Sequence, residues 1–200
     1  MVLILFSSVS PAAAAGAGAP IRWNTGGAVW STSQDSFDTF LRTGVVTDRG
    51  LAAGLAASGW PVDQLRAALV KSYTVDFLAV SRFLYSDAGE RFLRRATTSY
   101  GPYDTMNSTA VPALRSAILS DAADGSISSA GILRALPTAF RLADSGTGHT
   151  GAQPICAPGR CLSGTAQCTS LFSWYAFLPA CIQARQITSL EGPPTSASAP

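Results

Sequence analysis

VDFLAVSRFLYSDAGERFLRR, residues 75–95, decides the fold. Phe77, Val80 and Leu84 recur at helical spacing, behind Thr74 or Asp76 as the capping residue that opens the run. Ser86 breaks the apolar stripe and offers a second N-cap. Asp87 and Glu90 then fall in the first turn of the next helix and Arg94 and Arg95 near its last, the order of charge that complements a helix dipole. The stretch reads as two short helices joined by a tight connection.

The same grammar extends in both directions. Upstream, Ser33 can cap a helix carrying Phe37, Phe40 and Leu41, with Gly44 suited to its C-terminal end. Thr47 offers the next N-cap, leading through Leu51 and Leu55 to a stop at Gly59. Pro61 fits the first turn of a third helix, where its missing donor costs nothing, and Val62, Leu65 and Leu69 form its stripe. Downstream, Val111, Leu114 and Ile118 mark a sixth helix, entered near Pro112 and ended before Gly125. A seventh runs from Ser128 to Leu136 and stops at Pro137. Six or seven helices without a convincing strand run predict an all-α fold, a small multi-helix bundle or orthogonal array. The exception is Ile21 to Trp30, where Gly26-Gly27 between Trp23 and Val29 can turn a short hairpin.

Composition agrees. The 200 residues are 47% hydrophobic and only 13% charged, which excludes a long coiled coil and a wholly disordered chain. A formal charge of +2 argues against nucleic acid as a partner. The first twenty residues, MVLILFSSVSPAAAAGAGAP, resemble a signal peptide over residues 1–19: an apolar run from Val2 to Phe6 precedes Ala13-Ala14-Ala15 or Ala15-Gly16-Ala17 as a cleavage site. Arg22 is the first cationic residue, so the true start is expected to lie upstream of Met1. No segment, including Leu171 to Ile182, reaches the roughly 20 apolar residues of a membrane span. The predicted destination is exported: periplasm, thylakoid lumen or extracellular medium.

After a helical domain over residues 28–142, a Gly-rich linker is expected over 143–155, a Cys-rich tail over 156–190 and a disordered end over 191–200. Cys156, Cys161, Cys168 and Cys181 have the spacing C-x4-C-x6-C-x12-C, and an even count behind an export signal predicts two disulfides. Three pairings are compatible with it. Paired zinc ligands are usually closer together, and the sole histidine, His149, stands upstream, so no metal is expected. The apolar run between Cys168 and Cys181 would be a clamped loop, packed against the helical domain or exposing Phe172, Trp174, Tyr175 and Phe177 as a docking surface.

VSRFLY from Val80 to Tyr85, the Gly89-Glu90 step, Leu114-Arg115-Ser116-Ala117, Ala122-Ala123-Asp124 and Leu136-Pro137-Thr138 together resemble one known family. It is the helical N-terminal domain of unknown function of cyanobacterial secreted proteins described as α/β-hydrolases. The resemblance covers roughly residues 28–142. In that family the domain precedes a catalytic part resembling dienelactone hydrolases, and the resemblance implies that this part is missing here. Its catalyst needs a nucleophile on a strand-to-helix elbow, usually G-x-S-x-G, and no such motif occurs in these residues. About sixty residues follow the helical region, too few for a doubly wound sheet. No catalytic residue carries over.

The remaining polar features have simpler readings. His149 lies in the linker, where a base or a ligand would have no scaffold. Gly146-x-Gly148-x-x-Gly151 spells a dinucleotide fingerprint but lacks its strand and helix, so no cofactor is expected. Arg91, Arg94 and Arg95 share a helix side, a solvated face or a dock for an acidic partner, with Glu90 and Arg94 an i,i+4 pair. Asp87 and Glu90 are explained by helix-end chemistry before acid–base catalysis. Tyr100, Pro102 and Tyr103 form an aromatic corner. The expectation is an exported, non-catalytic helical module that docks a separately encoded protein; the alternative is an esterase-type hydrolase.

Overall fold

Side-chain caps begin most of the helices in the computed structural model, which describes residues 19–25, 28–58, 61–97, 100–102, 109–137, 140–143 and 178–183. In α1 (Gln34–Thr43) the Ser36 N–H donates to Ser33 Oγ at 3.1 Å, and Gly44 ends the helix at φ 80°. Left-handed backbone of that kind is why a glycine stands there. Arg66 of α3 (Val62–Val70) closes the same end, donating to the Leu41 carbonyl at 2.8 Å and the Arg42 carbonyl at 2.7 Å.

The cap of α2 (Arg49–Ser58) is Asp48 and not Thr47: Leu51 N–H donates to one carboxylate oxygen at 2.6 Å and Thr32 Oγ to the other at 2.5 Å. Through its two oxygens Asp48 holds the helix start and the preceding strand together. Pro61 precedes α3 as its capping residue, one position before the first turn. Leu65 and Leu69 are buried, but Val62 is exposed at the rim of their face.

In α4 (Phe77–Tyr85) the inward face is Ala79, Val80, Phe83 and Leu84, rotated away from Phe77, which remains exposed. In α5 (Asp87–Ala96) it is Phe92, Leu93 and Ala96. The sixth helix, α6 (Ala110–Asp121), buries Ala110, Leu114, Ala117 and Ile118, with Pro112 in its first turn. A 3-10 turn follows, and Gly125 at φ 85° redirects the chain into α7 (Ser129–Arg134), which is shorter than the sequence suggests.

The expected hairpin is present: β1 (Ile21–Thr25) and β2 (Ala28–Thr32) are antiparallel, with Trp23 opposite Trp30. The sequence does not announce how far it extends. The strand β6 (Phe140–Ala143) pairs parallel with β1, and β4 (Tyr100–Pro102) pairs antiparallel with β6, giving the order β2-β1-β6-β4. Arg22 lies opposite Arg141. Strands of three and four residues held by backbone pairing carry no alternation to read. A second ribbon, β3 (Ser72–Thr74) with β5 (Ser126–Ser128), joins the α3–α4 connection to the α6–α7 connection.

Helices and sheet share one hydrophobic core, in which Trp23, Phe37, Phe40, Leu51, Leu65 and Leu93 are wholly buried. Burying each such side chain contributes roughly 1.5–3 kcal/mol. Gly54 of α2 lies on the Trp23 indole so closely that a Cβ there would be 2.5 Å from the ring. Residues 178–183 are helical where the sequence suggests a loop. They add Leu178, Cys181 and Ile182 to the core, and Gln183 donates to the Thr74 carbonyl at 2.9 Å.

Candidate functional site

The densest polar arrangement lies where α4, α5 and α6 meet, and it begins with Ser86. This one residue ends α4, donating through Oγ to the Phe83 carbonyl at 2.7 Å, and starts α5, accepting from Gly89 N–H at 3.1 Å. The turn is tight enough that a Cβ on Gly89 would lie 2.7 Å from Leu84 Cα and closer still to the Phe83 carbonyl. That approach is the physical content of the Gly89-Glu90 step.

Glu90 sits one residue further on. It pairs with Arg94 at 2.9 Å, the i,i+4 contact expected, and with Arg115 of α6, which the sequence does not reveal. Arg115 also donates to the Leu84 carbonyl at 3.1 Å and lies 4.7 Å from the centre of the Tyr85 ring. At 16% side-chain exposure it is the least exposed of the cluster's charged side chains. One guanidinium thereby bonds the end of α4, the start of α5 and a ring.

Outside this cluster α4 presents an unusual surface. Phe77, Leu78 and Tyr85 are 41%, 60% and 67% exposed, and with Ser81 and Arg82 they make up the side opposite the core. An outward helix face normally carries the polar residues. On α5 the exposed positions include Arg91 and Arg94, while Asp87 occupies the first turn.

The other partly buried carboxylates hold backbone. Burial raises the Asp48 carboxyl, but hydrogen bonds from Thr32, Leu51, Ser36 and Gly50 outweigh it, leaving the group below its ordinary range. Burial, with the nearby Asp124 charge, holds Asp121 above its ordinary range despite the 2.8 Å bond it accepts from Ser128 N–H. A Cβ on Gly131 would be 2.6 Å from Asp121 Oδ2, so the carboxylate fills the space of a missing side chain. Asp76 caps α4 through Ala79 N–H at 2.8 Å, and Asp38 pairs with Arg134 at 2.6 Å. Among the described residues no three His, Cys, Asp or Glu side chains come together as a metal set would, and no helix is long and apolar enough to cross a membrane.

Of the sequence candidates, Asp87, Glu90, Arg91 and Arg94 share α5, and Tyr100 and Pro102 lie in β4. Cys181 is buried in the core. The described residues do not include Cys156, Cys161, Cys168, His149, the Gly146–Gly151 motif, Tyr103 or the aromatic set Phe172, Trp174, Tyr175 and Phe177. The Arg115 link escaped detection because nothing local marks a contact spanning 25 residues.

Comparison with known proteins gives one positive result. No curated protein and no solved structure matches the chain. A family model matches residues 22–141, from β1 to β6, and so spans helices α1 to α7 together with the strands that flank them. The chain therefore belongs to the family described as alpha/beta hydrolase of unknown function (DUF1400).

Proposed function

We propose that the chain is an exported, non-catalytic helical module that docks a separately encoded protein. The observation that carries this reading is the use of the ionisable groups within the family segment. Asp48 and Asp76 cap helices, Asp121 holds the β5–α7 turn, Arg66 closes α1 and Glu90 braces Arg115. Each has a structural partner, whereas a catalytic acid or base needs a face open to substrate. The docking contact we assign to Phe172, Trp174, Tyr175 and Phe177, within loops closed by disulfides among the four cysteines. Support comes from residues 178–183, which follow that run directly and are fixed to the domain by Leu178, Ile182 and the Gln183 bond. The amino-terminal run supports export to the periplasm, thylakoid lumen or medium.

The family description favours a second reading, an esterase-type hydrolase. Labelling the purified chain with a serine-directed fluorophosphonate, alongside a panel of nitrophenyl esters, separates the two. The module reading expects no labelled serine and no turnover above a buffer control; one stoichiometrically labelled serine whose alanine variant is inactive would replace it with the hydrolase. Docking is tested by photo-crosslinking from position 175 in the native extract, expecting a single protein adduct that a Trp174→Ser variant fails to form.

A further inference from the structure

Gln34 opens α1 and reaches back along the chain: its Nε2 donates to the Ala19 carbonyl at 2.8 Å. Ala19 stands two residues before β1, so the folded unit already includes it. The other half of the same amide is buried, and Oε1 accepts nothing from the described residues, the Ala19 N–H included. Native structures rarely leave a buried acceptor in that condition, because its lost hydration goes uncompensated. The residues that lead into Ala19 are the small-residue run at the end of the expected export signal, and three A-x-A steps lie in it: Ala13-Ala14-Ala15, Ala15-Gly16-Ala17 and Ala17-Gly18-Ala19. Cleavage after the third would remove Ala19, whose carbonyl Gln34 holds. Cleavage after the first keeps Gly16 and Ala17, so the charged end stands about 7 Å of extended chain farther from the amide. Cleavage after the second leaves Gly18 as the first residue, next to the one that Gln34 already holds.

We propose that the mature chain begins at Gly18, released by a peptidase that cuts after Ala17, and that Gln34 is the receptor for the new amino terminus, with Nε2 on the Ala19 carbonyl and Oε1 on the Gly18 ammonium. The proposal rests on the export reading above. Water adds across the Ala17–Gly18 peptide bond and the C–N bond breaks. The carbonyl carbon keeps the water oxygen as a carboxylate, and both water protons end on the Gly18 nitrogen, which leaves as an ammonium. The buried amide oxygen thereby gains a charged donor, which makes the stronger kind of hydrogen bond. The start of α1 is the positive end of a helix and by itself disfavours a cation. Asp35 in the same turn, and Asp48, whose carboxylate bonds Ser36, supply the opposing charge.

The first test is the intact mass and amino-terminal sequence of the chain recovered from the exported fraction of its native source. Gly18 is expected as the first residue. An exported chain that begins at Gly16, Pro20 or any other residue overturns the proposal and leaves export standing; a chain found uncleaved inside the cell overturns both. The receptor role is read from urea unfolding of residues 18–200, with oxidised cysteines, beside the same chain made with an acetylated amino terminus, which removes the charge. Acetylation should lower the folding equilibrium constant about tenfold in the parent and less than about twofold in Gln34→Leu. A chain that starts at Gly16 should show the loss that acetylation causes. Gln34→Met, close in length and without the amide, serves if the leucine variant loses the parent's circular dichroism. Equal losses in parent and variant, or none in either, overturn the receptor role.

Discussion

Replacing Gly89 by alanine sets two effects of opposite sign against each other. Gly89 lies in the first turn of α5, and on helix propensity alone the added methyl would stabilise the chain by up to about 1 kcal/mol. The structure predicts the reverse. The new Cβ would stand 2.7 Å from Leu84 Cα and nearer to the Phe83 carbonyl, both of them backbone atoms that no rotamer change can move aside. Overpacking of this kind costs about 1–3 kcal/mol. Relief requires α5 to draw away from α4, which weakens the Ser86 cap, worth about 1 kcal/mol, and pulls Glu90 from Arg115. The net expectation is a loss of about 2 kcal/mol, read from urea unfolding midpoints at constant m-value. Ala88→Gly is the control: Ala88 is exposed in the same turn, so this change should cost only the propensity term, about 1 kcal/mol or less. If Gly89→Ala equals or exceeds the parent in stability, the close helix crossing is wrong and the glycine is there for another reason.

Glu90→Gln should cost about 1–3 kcal/mol, because it leaves the largely buried Arg115 without its carboxylate; Arg94→Ala should cost under about 0.5 kcal/mol, since that pair is exposed, and equal effects in thermal melts would refute the bracing role. Arg66→Ala removes the cation bound to the α1 carbonyls and should lower stability by about 1 kcal/mol, with Arg66→Lys in between, by urea unfolding. Asp48 and Asp121 should give opposite pH dependences. The lowered Asp48 pKa contributes stability above the unfolded value of 3.8 that is lost as pH falls through its folded value, so Asp48→Asn should be weaker than the parent at pH 7, by a margin that narrows as pH falls below 3.8. The raised Asp121 pKa means that the folded state holds its proton longer; its ionisation subtracts stability as pH rises above 3.8, so Asp121→Asn should gain on the parent between acid and neutral pH. Parallel pH–stability curves for the two variants would refute both assignments.

What could be read from the sequence follows the range of each interaction. Caps are local, and Ser33, Gly44, Asp76, Ser86 and Gly125 act where their neighbours say they should. The Thr47–Asp48 reassignment is a one-residue shift forced by a partner, Thr32, 16 residues away. Periodicity found the helices and placed Val80 and Leu84 of α4 in the core, but it counted Phe77 with them and missed Ala79 and Phe83, since Ala79 does not register as apolar bulk beside Phe77. The rest of the β1 sheet was hidden because β6, its parallel partner, and β4 beyond it are only four and three residues long. The same limit hid the site: Arg115, Glu90 and Tyr85 are ordinary residues in three separate helices until the turn at Gly89 brings them together.

The family boundary acquires a structural meaning from these pairings. Residues 22 and 141 begin and end the matched segment, and they lie opposite one another in the parallel β1–β6 pair. The segment is thus a unit whose ends meet at one place in its sheet, and sequence on either side must leave from that place. No local turn can join a parallel pair, so β1 and β6 are linked through the whole run of helices between them, and their pairing ties the two ends of that run together. Disrupting the β6 backbone, as by Leu142→Pro, should therefore cost the whole domain its cooperative transition and not merely fray an end. The circular dichroism of the helices is the assay: a single sharp melt lost together with the sheet supports a closed unit, whereas helices that melt unchanged would show that β6 is an appendage.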